Sequence, residues 1–256
     1  MWSRRELKER AKNVLRWNYW KAFLISLVIL VAEGGGGGSG GRSGSRSGGQ
    51  GGGMPFLNNF SMRDAVIFGL VALAAVAFLL LIAAALRIFL GYPLEVGGRK
   101  YFIQSAQNFD NRRCFRFAFD GQNYMGIVAT MFLKGIFNFL WFLLFIIPGI
   151  VKAYSYSMVP YILADNPNIG AAKAIRLSNK MTYGHKFDMF VLDLSFIGWY
   201  LLGMLALFVG MLFVKPYENA TKAELYLVLR RNALESGMCS YQELMLQDPA
   251  QEGYNW

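Results

Sequence analysis

Histidine occurs once, at His185, and cysteine twice, at Cys114 and Cys239. A single imidazole excludes a histidine-rich metal site and most nucleophile–histidine pairs. Two cysteines far apart make no disulfide framework, and both are expected as free thiols in cytoplasmic segments. No metalloprotease helix motif, phosphate loop or metal-ligand cluster occurs. The sequence therefore predicts no catalytic set, no metal and no cofactor, and so no enzyme. Charge is also scarce. Asp, Glu, Lys and Arg make up 16% of the 256 residues, against about 25% in soluble domains. No cleavable signal peptide is expected, because the first apolar run lacks a small-residue cleavage site.

What the chain has in quantity is apolar surface: 55% apolar and 16% aromatic residues, with a net charge of +10. That balance predicts an all-α integral membrane protein, a polytopic bundle flanked by amphipathic interfacial helices. Basic residues beside apolar runs match a bilayer with anionic headgroups better than nucleic acid.

The stretch from Tyr124 to Pro167 organises the rest. A helix rises about 1.5 Å per residue, so a hydrocarbon core of about 30 Å needs about 20 residues. Tyr124 to Ile147 is enough for one crossing. Pro148 removes a backbone donor and Gly149 relaxes the φ limits, so the pair reads as a tight turn between two spans. One kinked helix from about 135 to 151 is the alternative.

In chain order, Met1 to Arg16 reads as a basic amphipathic helix with Ser3 and Glu6 as a capping box. Leu7, Ala11 and Val14 share a face, and Arg4, Arg5 and Lys8 are candidates for lipid headgroups at a membrane surface. Trp17, Tyr19 and Trp20 form an aromatic belt before a short span from Ala22 to Ala32. Residues 34–53 are a flexible Gly/Ser/Arg-rich loop within the single membrane domain 1–256. Ala65 to Leu86 is uncharged, and its small residues predict a span at the centre of a bundle. Residues 91–123, with Arg99, Lys100, Arg112, Arg113 and Arg116, read as a polar connection whose interleaved aromatics pack at the interface. Asn166-Pro167 reads as the start of a second surface helix, with Lys173, Arg176 and Lys180 as further headgroup candidates. Phe187 to Val214 is either one tilted span ending at a break, Pro216, or two spans turning between Trp199 and Gly203. Residues 236–256 read as a polar tail.

The Lys/Arg partition separates these layouts. With the N-terminus inside and six spans, the basic residues of 1–16, 99–116, 173–186 and 215–231 fall inside. Only Arg42, Arg46 and Arg63 fall outside. Orientation follows that bias, so six spans with both termini cytoplasmic are expected.

Four segments also carry a family resemblance: ERAKNVLRWNYWKAF (9–23), IIPGIVKAYSYSMVPYILADNP (146–167), AAKAIRLSNKMTYGHKFDMFVLDLSFIGWYLL (171–202) and KPYENATKAELY (215–226). They resemble the bacterial integral membrane family known as domain of unknown function 975. That family is distantly similar to the six-helix membrane domains attached to some glycerophosphodiester phosphodiesterases. The resemblance implies a bacterial cell-membrane location and an architecture, but no established activity.

The informative residues are polar ones inside apolar runs, since an intramembrane charge tends to be paired, wet or functional. Lys134 and Asn138 are one helical turn apart. Lys152 follows the Pro-Gly pair, and Asp188 and Asp193 open the next span. Lys134 is expected either to pair with Asp193 or Asp188, or to snorkel while Asp188 sits at the headgroups. Tyr154, Tyr156, Tyr161 and Tyr217 either line a polar groove or anchor at the interface. Two functions follow: a non-enzymatic scaffold or accessory protein of the cell envelope with a membrane-protein partner, or a small-molecule or lipid transporter using a polar cavity.

Overall fold

A computed structural model describes residues 2–33, 62–205 and 209–247. The Gly-rich stretch 34–53, the sequon at Asn59, and residues 248–256 of the tail lie outside the described residues, as does the Trp17 side chain. The described residues form α-helices and no strand: α1 (Arg4–Ala32), α2 (Met62–Leu86), α3 (Tyr92–Ala106), α4 (Cys114–Ala118), α5 (Gly121–Leu144), α6 (Ile146–Ser155), α7 (Val159–Asp165), α8 (Ala171–Met181), α9 (Lys186–Leu205) and α10 (Val209–Glu235).

The start of α1 follows from its cap: Ser3 Oγ accepts from the Glu6 amide at 3.2 Å. The reciprocal half of the box is not made, because the Glu6 carboxylate accepts from Arg10 instead. Helix α1 bends at Asn18 (φ −131°, ψ 27°), and its two halves meet at 107°. Its apolar stripe (Leu7, Ala11 and Leu15) is buried, and α1 packs chiefly on α10 and α3. The face expected to dip into the membrane surface is thus occupied by protein.

Helices α2 and α3 run as one, Val66–Ala106, through a π-helical turn at Arg87–Gly91. Every residue from Val66 to Leu86 is exposed. The small residues of α2 therefore do not place it in the bundle centre; its apolar surface is left exposed, and the helix is long and apolar enough to cross a membrane. The correction at α3 is larger. The segment that reads as a polar connection is a core helix with Val96, Tyr101, Phe102 and Ile103 buried. Its Glu95 and Arg99 break the apolar pattern, yet both are buried.

Helices α5 and α6–α7 form the expected hairpin, with the turn displaced. The break falls at Phe145, which is extended (φ −157°, ψ 143°). Pro148 sits in the first turn of α6, where amides have no intrahelical partner to lose. Gly149 serves a close approach rather than a φ requirement: a Cβ there would stand 2.7 Å from Phe142 Cδ1 and 3.0 Å from Phe142 Cα. A second hairpin joins α9 to α10. Gly203 lies within α9, not in a turn, and a Cβ on Gly210 would stand 2.6 Å from Gly203 Cα. Pro216 does not break the chain either, since α10 runs through it. Pro216 deprives the Leu212 carbonyl of its donor, and the next carbonyl, Phe213 O, accepts from the Tyr19 hydroxyl at 3.1 Å.

Helix α8 starts later than Asn166-Pro167 implies. Asn166 Oδ1 accepts from the Asn168 amide at 2.9 Å, a local turn that competes with helix initiation. Its buried face (Ala174, Leu177, Ser178 and Met181) rests on protein, while Lys173, Arg176 and Lys180 are exposed. The beginning of the tail is folded onto the body: Cys239 and Leu244 are buried, and Asn166 Nδ2 donates to Glu243 O at 2.8 Å.

Three helical stretches are long and apolar enough to cross a membrane: Val66–Ala106, Gly121–Leu144 and Lys186–Met204. The bent α1 makes a fourth if its halves count as one span. Six full crossings are not found among the described residues. The returning arm α6–α7 is interrupted after Ser155, and α10 carries Lys215, Glu218 and Lys222.

Two outcomes follow. Gly149→Leu places a side chain against Phe142 and is expected to destabilise the hairpin by about 1–3 kcal/mol, as overpacking does, measured by unfolding in detergent. Cys114 and Cys239 are unpaired, and burial raises both thiol pKa values. A raised pKa leaves less thiolate at any given pH. Maleimide labelling of the folded protein is therefore expected to be slow near neutral pH and to become fast on denaturation.

Candidate functional site

Arg99 projects from the middle of α3 into the interior, 8% exposed. Its Nη1 donates to Asn219 Oδ1 on α10 at 2.7 Å and to the Tyr161 hydroxyl on α7 at 3.3 Å. Its Nη2 pairs with Glu33, the residue that ends α1. The guanidinium also lies 5.2 Å from the Tyr161 ring centroid. Asn219 Nδ2 in turn donates to Ser26 Oγ at 3.0 Å. Asn219 begins an acceptor sequon by pattern, but its amide is spent in this network.

A second network lies beside the first, along the junction of α9 and α10. Lys222 Nζ is 2.8 Å from Glu218 Oε1 and 3.2 Å from Asp193 Oδ1. Lys215 Nζ reaches Glu218 Oε2 at 3.1 Å, and the Tyr200 hydroxyl donates to Glu218. The Tyr154 hydroxyl donates to Asp193 Oδ2 at 3.0 Å. The i, i+3 and i, i+4 spacing of Lys215, Glu218 and Lys222 puts all three on one face of α10.

The two networks wall a cavity of about 220 Å³ between α3, α5, α7, α9 and α10. Arg99, Glu33, Asp193 and Lys222 line it, as do Tyr154 and Tyr161. Two further charges line it without an ion pair to any described residue: Glu95 from α3 and Lys134 from α5. The apolar part of the wall comes from Met158, Pro160, Met189, Leu192 and Leu225.

Lys134 and Asp193 line one cavity but do not form the expected ion pair; Asp193 pairs with Lys222 instead. The other polar residues within the runs lie elsewhere. Asn138 is not on the cavity wall, and its Oδ1 is buried without a partner. Lys152 Nζ stands 4.8 Å from the Trp141 ring centroid. Asp188 is exposed and lines an outer groove together with Arg4, Arg5 and Lys8. Glu33, Glu95, Arg99, Glu218 and Lys222 belong to the candidate site or its ion-pair networks, and the sequence pattern does not single them out as such. Their one legible signal is the spacing on α10; Arg99 reads as an ordinary cytoplasmic cation because its partners are far away in sequence.

No group of three or more His, Cys, Asp or Glu among the described residues is arranged to hold a metal ion. The cavity offers hydrogen bonds and charges of both signs. Arg99→Met leaves the half-buried Glu33 without its partner. It is expected to destabilise the fold by about 1–3 kcal/mol, the cost typical of leaving a polar group unsatisfied, while Arg99→Met with Glu33→Gln recovers part of that loss in the same unfolding assay.

No curated protein and no solved structure matches the chain. The family model described as "Protein of unknown function (DUF975)" matches residues 66–233, from the exposed apolar α2 through the hairpins and most of α10. The match takes in every cavity-lining residue except Glu33, and the chain belongs to that family.

Proposed function

We propose that the protein is a non-enzymatic multi-pass membrane protein that binds a small zwitterionic solute in the cavity among its helices and moves it across the bilayer. One observation carries this reading: Lys134 and Glu95 line the same cavity, opposite in sign, and neither makes an ion pair with a described residue. A charge kept from water is retained when it is paired, wet or used. The other charges of the wall are already paired with one another. A cavity of about 220 Å³ is smaller than the roughly 300–1,000 Å³ of sites for drug-sized ligands. It suits a solute of amino-acid size, its carboxylate on Lys134 and its ammonium on Glu95.

The location belongs to the same proposal: a bacterial cell membrane, in an arrangement akin to the membrane domains attached to some glycerophosphodiester phosphodiesterases. Each hairpin returns the chain to the side it left, and the Lys/Arg bias then puts both termini in the cytoplasm. A second role, as an accessory subunit, is favoured by α2, whose exposed face is rich in Gly and Ala. Small residues of that kind let a neighbouring transmembrane helix approach closely.

The test is thermal unfolding and calorimetry of the full chain in nanodiscs against a panel of amino acids. At least one is expected to stabilise the wild type, since a ligand at 100 times its Kd adds about 2.7 kcal/mol. Lys134→Met and Glu95→Gln are each expected to weaken that binding by about tenfold or more, as the loss of a charge-assisted hydrogen bond does, without lowering the melting temperature of the free protein. If no amino acid binds, or if both variants bind like the wild type, the cavity reading fails and the accessory role stands alone.

A further inference from the structure

Two hollows on the outside of the bundle, between the N-terminal half of α1 and helices α9 and α10, run into one another. The first, about 840 Å³, is lined by Arg4, Arg5, Lys8 and Lys12, with Glu9 and Asp188 as its acids. The second, about 620 Å³, has Leu15, Tyr19, Phe213 and Val214 in its wall. Lys12, Trp199 and Tyr217 line both. The result is one groove, basic at one end and apolar at the other.

The basic end is not self-neutralised. Arg5 is tied to Glu9 at 3.0 Å. Lys8 and Lys12 rest on aromatic rings, at 4.5 Å from Phe196 and 5.9 Å from Tyr217. Those contacts position the two ammonium groups without neutralising them. Neither they nor Arg4 has an anionic partner among the described residues. The remaining acid, Asp188, is exposed at the same end. At the junction of the two halves stand Trp199 and Tyr217, side chains that favour the level of lipid headgroups. The bend at Asn18 lays the first half of α1 across the direction of the second, as a helix lying on a membrane beside a penetrating one would be.

Each simpler occupant leaves half of the groove unmatched. A free inorganic anion meets the cations and leaves the apolar half against water. A fatty chain without a charged head leaves the cations uncompensated. A zwitterionic phospholipid brings its own ammonium to a site already rich in cations. We propose that the groove holds one anionic glycerophospholipid, with its phosphate among Arg4, Lys8 and Lys12 and one acyl chain along Leu15, Phe213 and Val214. Asp188 is placed to accept a hydrogen bond from a hydroxylated headgroup. The site is separate from the internal cavity, and either assignment stands without the other.

The experiment uses the full chain in detergent, offered equal amounts of phosphatidylglycerol and phosphatidylcholine, with retained lipid counted by native mass spectrometry. The expected result is one phosphatidylglycerol retained in preference to phosphatidylcholine. Lys8→Gln with Lys12→Gln is expected to lower that retention by about thirtyfold, from about 1 kcal/mol for each of the two cations near an anionic surface, with helical content unchanged by circular dichroism. Should that pair unfold the protein, Arg4→Gln at the exposed rim carries the same test. Val214→Trp is expected to reduce retention by filling the apolar half, and soluble glycerol phosphate is expected not to displace the lipid. Equal retention of the two lipids, undiminished retention by the glutamine variants, or displacement by glycerol phosphate overturns the proposal, the last result marking a site for free phosphate instead.

Discussion

A guanidinium taken out of water has to be given partners, and Arg99 draws them from three directions. Glu33 comes from the end of α1, Tyr161 from α7 and Asn219 from α10, so one side chain on α3 ties four segments that are far apart in the sequence. Removing two charges from water is offset only when the geometry is good and the remaining donors are satisfied. Arg99 comes close to that condition, with only Nε lacking a partner. Asn219 extends the constraint by holding Ser26 with its second group, which sets the second half of α1 alongside α10. The pair between Arg230 and Asp165 at 2.9 Å, to which the Tyr226 hydroxyl also donates, repeats the device where α7 ends against the latter part of α10.

Around this polar centre the helices divide by what covers them. Helix α7 is buried from Val159 to Ala164, whereas α2 is exposed from Val66 to Leu86. Both are apolar, so hydrophobicity alone does not distinguish a face for protein from a face for lipid. In a bilayer the hydrophobic effect does little to draw helices together, and close packing takes its place. The crossings at Gly149 on Phe142 and at Gly210 on Gly203 are where the backbones come near enough for that packing.

The same division separates the two proposed sites. The internal cavity is walled by charges that mostly satisfy one another, leaving Lys134 and Glu95 for a solute. The outer groove keeps Lys8 and Lys12 on rings rather than on carboxylates, which leaves them available to a phosphate. One site is the more enclosed and is balanced in charge, and the other is more open and positive. Each is formed by α9 and α10 together with other helices, which makes the second hairpin the shared wall of both.

Much of the architecture was legible in composition and periodicity. Apolar run lengths marked α2, α5 and α9 as helices able to cross a bilayer, the Ser3 cap marked the start of α1, and the spacing of basic residues marked the exposed side of α8. Local signals misled where a competing role took the same residue. Pro148-Gly149 reads as a turn, yet Gly149 is there for a close helix approach; Pro216 reads as a stop, yet α10 runs through it, and the Tyr19 hydroxyl serves a neighbouring carbonyl. The candidate site was legible only in part: Lys134 and Asp193 stood out as charges in oily surroundings. Arg99, Glu33 and Glu95 did not, because a charge within a mixed segment looks solvated until its partners are known. By itself the sequence determined that α2, α5 and α9 are helices apolar enough to cross a bilayer, since that follows from runs of neighbouring residues, but it did not mark α3 as a helix. The tertiary structure alone decided which charges are buried together, since that depends on contacts between residues such as Arg99 and Asn219 that no local pattern records.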